Sequence, residues 1–178
     1  NFNFIFFSFL IISQNINYKD RFFTQTFVTF SKQNYSIINY LKISPYGAHY
    51  DAAIKIFKSN PFFGVGLKNF RIESGKEKYK DTNIVFTNFR QSTHPHQIHF
   101  ELLSETGLIG YLSFFIFFYL FLKRSINIQF KNKNLYHLSG ILFILATFIP
   151  LIPSGSFFTT YSAAIFWINF AVVESFND

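Results

Sequence analysis

Residues 135 to 173 form a run of 39 positions without one Asp, Glu, Lys or Arg, broken only by Pro150, Pro153 and Gly155. A bilayer core takes about 20 apolar residues per helix, so this run predicts two membrane helices joined by a tight Pro/Gly turn. A second charge-free run, Thr106 to Leu122, spans 17 residues rich in Leu, Ile, Phe and Tyr and stops at Lys123-Arg124. It predicts one further span. A third run, from Asn1, ends in the polar Gln14, Asn15 and Asn17; residues 1–16 read as the outer part of a membrane helix. There is neither a basic n-region nor a small-residue cleavage site, which argues against a signal peptide. The expected fold class is therefore an α-helical polytopic membrane protein fragment, with about four membrane helices and one long, mainly helical loop. Composition agrees: the chain is 14% charged and 49% hydrophobic, with 29 Phe, against about 25% charged in a typical soluble domain. Disorder, collagen and coiled coil are excluded. With no Cys, so are disulfide frameworks and cysteine nucleophiles. With no Met and a bulky Asn1, the sequence reads as starting inside a longer protein.

The short segment 123–134 holds Lys123, Arg124, Lys131 and Lys133 and no acid. Short basic loops stay in the cytoplasm, which predicts a cytoplasmic loop at 123–134, a cytoplasmic tail at 174–178, and the 17–105 segment on the opposite face. That long loop carries 12 basic and 7 acidic residues, a formal charge of +5. Long loops cross largely regardless of charge, so the excess is compatible with the topology. It suits an anionic ligand or a lipid surface, or is the solvated face of a basic chain.

Within the loop, Tyr46 to Lys58 places Ala52, Ala53, Ile56 and Phe57 at helical spacing and ends at Asn60-Pro61, predicting an amphipathic helix. PFFGVGLKNFR follows; its two glycines allow a tight bend, and a lone GxG is weak evidence for phosphate binding. Residues 72 to 92 read as irregular. Thr93 is the expected cap of a helix with Pro95 in its first turn, leading into the span. The segment THPHQIHFELLSE packs three of the five histidines into six residues. His96 and His99 stand one helical turn apart with His94 just outside, a spacing that allows a three-histidine zinc site, with Glu101 or Glu105 as a fourth ligand. Two other readings stand beside it: histidines lying at headgroup level, and a catalytic His, since neutral imidazole suits proton transfer near pH 7.

The succession NPFFGVGLKNFR, then THPHQIHFELLSETGLIG entering a membrane helix, resembles the O-antigen ligase and Wzy-type polymerase family. There a long periplasmic loop carries a P-x-x-G-x-G segment and ends in H-x-H-N followed by E-x-G-x-x-G. The resemblance covers roughly Ala48 to Tyr111. It implies a bacterial inner-membrane, multi-pass enzyme with loop 17–105 in the periplasm, and further membrane helices before Asn1. The implied activity is metal-independent, inverting transfer of a glycan from an undecaprenyl pyrophosphate carrier to lipid A core or to a growing polysaccharide. Membrane lipids are implied as partners, and neither a cofactor nor a nucleic acid is. His96 matches the family's functional histidine, with His94 beside it as the second catalytic candidate; Gln97 stands where the family has Asn. The family also holds pyrophosphate with loop arginines, one about a helix-length before the GxG segment. Here that neighbourhood reads SPYGAHYDAA, with Tyr46 and His49 but no Arg. Arg71, Arg90 and Arg21 are the candidates, since a guanidinium binds phosphate oxygens bidentately. A non-enzymatic basic loop recognising anionic polymer or scaffolding an envelope assembly is the alternative. A transporter is disfavoured because no charge falls inside a predicted span.

Overall fold

A computed structural model describes residues 28–34, 36–150, 153–158 and 161–177. The predicted partial helix 1–16 and Arg21 lie outside the described residues. Among those described the structure is helical, with no strand. Two short helices, α1 (Thr29–Lys32) and α2 (Ile37–Lys42), lead into α3 (Pro45–Ser59). Ser44 starts α3 by accepting from the Gly47 N–H at 3.0 Å, with Pro45 in the first turn, where its missing N–H costs nothing. Ala48, Ala52, Ala53 and Ile56 recur on one face of α3 and are buried with Phe70 and Tyr79 in the loop's own core. Full burial of a side chain such as Ile56 contributes roughly 1.5–3 kcal/mol.

After α3 the chain docks on the long apolar helix. This is α5 (Ile98–Asn132), reached after the one-turn α4 (Phe70–Glu73) and two 3-10 turns at Glu77–Tyr79 and Thr87–Phe89. Docking is backbone to backbone. Val65 and Gly66 donate N–H bonds to the carbonyls of Ser104 and Glu105, and Leu108 and Ile109 donate back to Pro61 and Phe62, at 2.8–3.2 Å. Such approach requires glycine on both sides: a Cβ on Gly64 would stand 2.4 Å from the Glu105 carbonyl carbon, and one on Gly107 2.4 Å from that of Phe62. Gly107 also adopts φ 66°, ψ −169°, a conformation essentially reserved for glycine. It frees the N–H groups of Leu108 and Ile109 for the loop and kinks α5 there.

Beyond the kink α5 is apolar, with Leu108, Ile109, Leu112, Ile116, Phe117 and Leu120 exposed. It is the one helix among the described residues long and apolar enough to cross a membrane. It does not stop at Lys123 as predicted. Lys123 to Asn132 remain helical, and the break comes at Lys133, left-handed at φ 50°, followed by Asn134, whose side chain caps α6 (Leu135–Thr147). Helix α7 (Tyr161–Glu174) completes the bundle. The 39-residue run thus yields helices of 13 and 14 residues. At 1.5 Å per residue they are about 20 and 21 Å long, and Pro153 and Gly155 lie between them.

Phe118, Phe121, Ile141, Ile144, Phe166 and Val173 join the three helices. The order is out, back and out again. At one end the ring nitrogens of His99 meet the Tyr111 hydroxyl (3.0 Å) and the Phe148 carbonyl (2.9 Å) at the end of α6. At the other, Arg124 pairs with Glu174 (3.1 Å) at the end of α7 and donates to the Asn177 carbonyl. From Gly107 to Arg124 the helix rises about 26 Å.

Candidate functional site

The loop's histidines converge where it docks on α5. The His96 ring lies 4.2 Å from that of His94 and 5.1 Å from that of His49, centroid to centroid, and Tyr46 stands edge-on to it at 5.9 Å. His96 is half-buried and takes φ 58°, uncommon for a non-glycine residue. Its Nε2 meets the Ser92 hydroxyl at 3.2 Å, and its carbonyl accepts from the Ser154 N–H at 2.7 Å. His94 is buried, with Nδ1 on the Thr93 hydroxyl at 2.9 Å. His49 is buried on α3, with Nδ1 on the Arg90 carbonyl at 3.2 Å.

Electrostatics hold the trio neutral. Burial pushes the His96 imidazole down to about 4, helped by the neighbouring His94 and His49. Burial likewise lowers His94 and His49, only partly opposed by backbone hydrogen bonds. At pH 7 each carries a lone pair rather than a charge.

Helix α5 begins at Ile98, not at Thr93. Gln97 is the cap, its side-chain oxygen accepting from the His99 and Phe100 N–H groups, and Pro95 lies outside the helix. His99 therefore points toward Tyr111 and Phe148 and away from the trio. The three-histidine zinc arrangement of His94, His96 and His99 is not the one formed, and among the described residues no three His, Asp or Glu side chains are grouped to hold a metal ion. Glu101 and Glu105, each 2% exposed, are engaged elsewhere. Glu105 accepts from the Lys68 and Phe70 N–H groups at 2.9 and 3.2 Å, tying α4 to α5. Glu101 accepts from the Ser156 hydroxyl and from the Phe157 N–H.

The arginines divide. The Arg90 side chain is 6% exposed and is turned into the loop, where its Nη atoms donate to the Thr87, Gly75 and Lys76 carbonyls and pair with Glu77 at 2.9 Å. Both Nη atoms bind the 75–87 segment, which is folded into turns around them, and the Arg90 carbonyl meets His49. Arg71 is exposed, and its side chain makes no ion pair with a described residue. His49 is the member of the site that motif reading passed over. Its signal is its place on the apolar face of α3, three and four residues before Ala52 and Ala53, where a polar side chain needs a partner.

No curated protein and no solved structure matches this chain. The model of one protein family, described as O-antigen ligase, does, over residues 4–115. Those residues include both glycine segments, the histidine trio and the start of the long apolar helix. Spanning more than half of the 178 residues, the match means that the chain belongs to the O-antigen ligase family, membrane proteins of glycan transfer.

Proposed function

We propose that this chain carries the catalytic loop of an inverting glycosyltransferase that takes its glycan from an undecaprenyl pyrophosphate carrier and passes it to lipid A core or a growing polysaccharide. The observation that supports it most is the neutral histidine trio at the point where the basic loop meets the membrane-entering helix. In this reading the acceptor hydroxyl attacks the anomeric carbon as the bond to the pyrophosphate oxygen breaks. His96 takes the hydroxyl proton, and His94 and His49 keep its imidazole neutral until then. A base of pKa about 4 is weak, and an anionic donor bound nearby would raise it toward working pH. Proton removal of this kind contributes about 10²–10⁴ in rate. Arg71, with Arg21, neutralises the leaving pyrophosphate, the larger electrostatic contribution. Arg90 serves by shaping the loop.

The loop 17–105 lies in the periplasm of a bacterial inner-membrane protein in this proposal. A reporter inserted after Lys78 should then be extracytoplasmic and one after Lys133 cytoplasmic; the reverse pattern is incompatible with the reading. The chemical test uses His96→Asn in the complete protein, because Asn tolerates the left-handed backbone and so removes the imidazole alone. Transfer should fall at least about 100-fold at unchanged protein level. Near wild-type transfer would leave the basic, polymer-recognising loop as the better account.

A further inference from the structure

We propose that Glu101 is a positioning residue for His96, acting through a strap formed by Pro153 to Phe158 between α6 and α7; the inference rests on the role given to His96 above. The strap crosses the start of α5. One of its N–H groups, that of Ser154, donates to the His96 carbonyl at 2.7 Å. Two and three residues on, the Ser156 hydroxyl and the Phe157 N–H donate to the Glu101 carboxylate, one to each oxygen. The carboxylate is buried and its bonds hold the strap from beneath, so it has no route to a substrate itself.

Two features turn this from packing into positioning. First, His96 is left-handed, and a residue there persists only where the surroundings over-determine it. Its carbonyl is fixed by the strap, and its chain neighbour Gln97 by the cap of α5. Glu101, four residues later in the first turn of α5, is the point where strap and helix are pinned together. Second, a buried carboxylate is the costly way to hold a backbone segment. What it supplies is two acceptors in a fixed fork, satisfying a hydroxyl two residues and an N–H three residues from the N–H that binds His96. Releasing the strap frees the His96 carbonyl and lets the ring drift, and a shift of about 1 Å in a reacting group can cost on the order of 100-fold in rate.

The test is carried out on the complete protein in membrane vesicles. It measures kcat and donor KM for glycan transfer, together with thermal unfolding in detergent, for Glu101→Ala and Glu101→Gln beside His96→Asn. Positioning predicts that Glu101→Ala lowers kcat about 10- to 100-fold with donor KM unchanged within about twofold. Glu101→Gln should recover most of kcat, since an amide can accept from the Phe157 N–H and donate to the Ser156 hydroxyl. Wild-type kcat in Glu101→Ala overturns the proposal. So does a Glu101→Gln protein that melts like wild type yet stays as slow as Glu101→Ala. If Glu101→Ala fails to insert, the Gln variant decides alone: it should transfer at near wild-type kcat, and a normally folded, slow Gln variant refutes the idea. Activity in His96→Asn would instead sink the functional reading, leaving the two failures distinct.

Discussion

The foot of α5 and the bundle beyond it are built on opposite terms. At the foot, contact is made by backbone atoms, two glycines and buried polar groups, with backbone N–H groups and carboxylate oxygens paired across 35 to 58 residues of sequence. In the bundle, contact is made by phenylalanines: Phe118 alone meets Phe114, Phe148 and Phe166 with ring centroids 4.7–5.5 Å apart and tilted or edge-on. Directional bonds fail when one atom is misplaced. Aromatic packing is a sum of many small attractions that neighbouring rings redistribute. The first kind of construction holds a site; the second only holds helices together.

Gly107→Ala should have the largest effect, because the new Cβ meets the Phe62 backbone at 2.4 Å in a conformation alanine avoids. The loss should exceed about 4 kcal/mol, at the far end of single-residue effects. Limited proteolysis of membrane vesicles would show the loop cut at rates wild type never reaches; a protected loop would mean that the interlock is not what seats it. A smaller effect should come from acid. Unfolded histidine binds its proton near pH 6.5, whereas folded His96 does so only near 4, and His94 and His49 are displaced in the same direction. The folded loop therefore binds fewer protons in that window, so its stability should fall as pH drops from 6.5 toward 4. His96→Asn should flatten part of that slope, and an unchanged slope would remove His96 from the account. Least affected should be Phe118→Leu in the bundle, at no more than about 1.5 kcal/mol in detergent melting; a loss matching that of Gly107→Ala would erase the contrast between the two regions.

Local signals were legible in the sequence and distant partnerships were not. The helical spacing from Tyr46 to Lys58, ending at Asn60-Pro61, marks α3 to within a residue of its observed ends, Pro45 and Ser59. The GxG bend is marked by glycines that take positive φ. By contrast, the charges at Lys123 and Arg124 suggested a helix end, and α5 runs on past them to Asn132. A helix ends where its backbone is redirected, and Lys133-Asn134 does that here. His49 is bonded to a carbonyl 41 residues away, and Arg90 to carbonyls across a folded turn, so no spacing rule reports either. Glu101 and Glu105 both read as a possible fourth metal ligand until their partners are seen: Ser156 and Phe157 of the strap for Glu101, and Lys68 and Phe70, brought by the glycine interlock, for Glu105.

The interlock also decides how freely this region can change. Because Pro61, Phe62, Val65 and Gly66 meet α5 through N–H and carbonyl groups, the register between loop and helix is indifferent to the outward-facing side chains around it. Phe62, Phe63, Leu67, Leu108 and Ile109 are all exposed at this level. Their apolarity plays no part in the backbone fit within the foot. The loop can thus exchange the side chains of its outer face while the two glycines keep the histidines in the same place on α5.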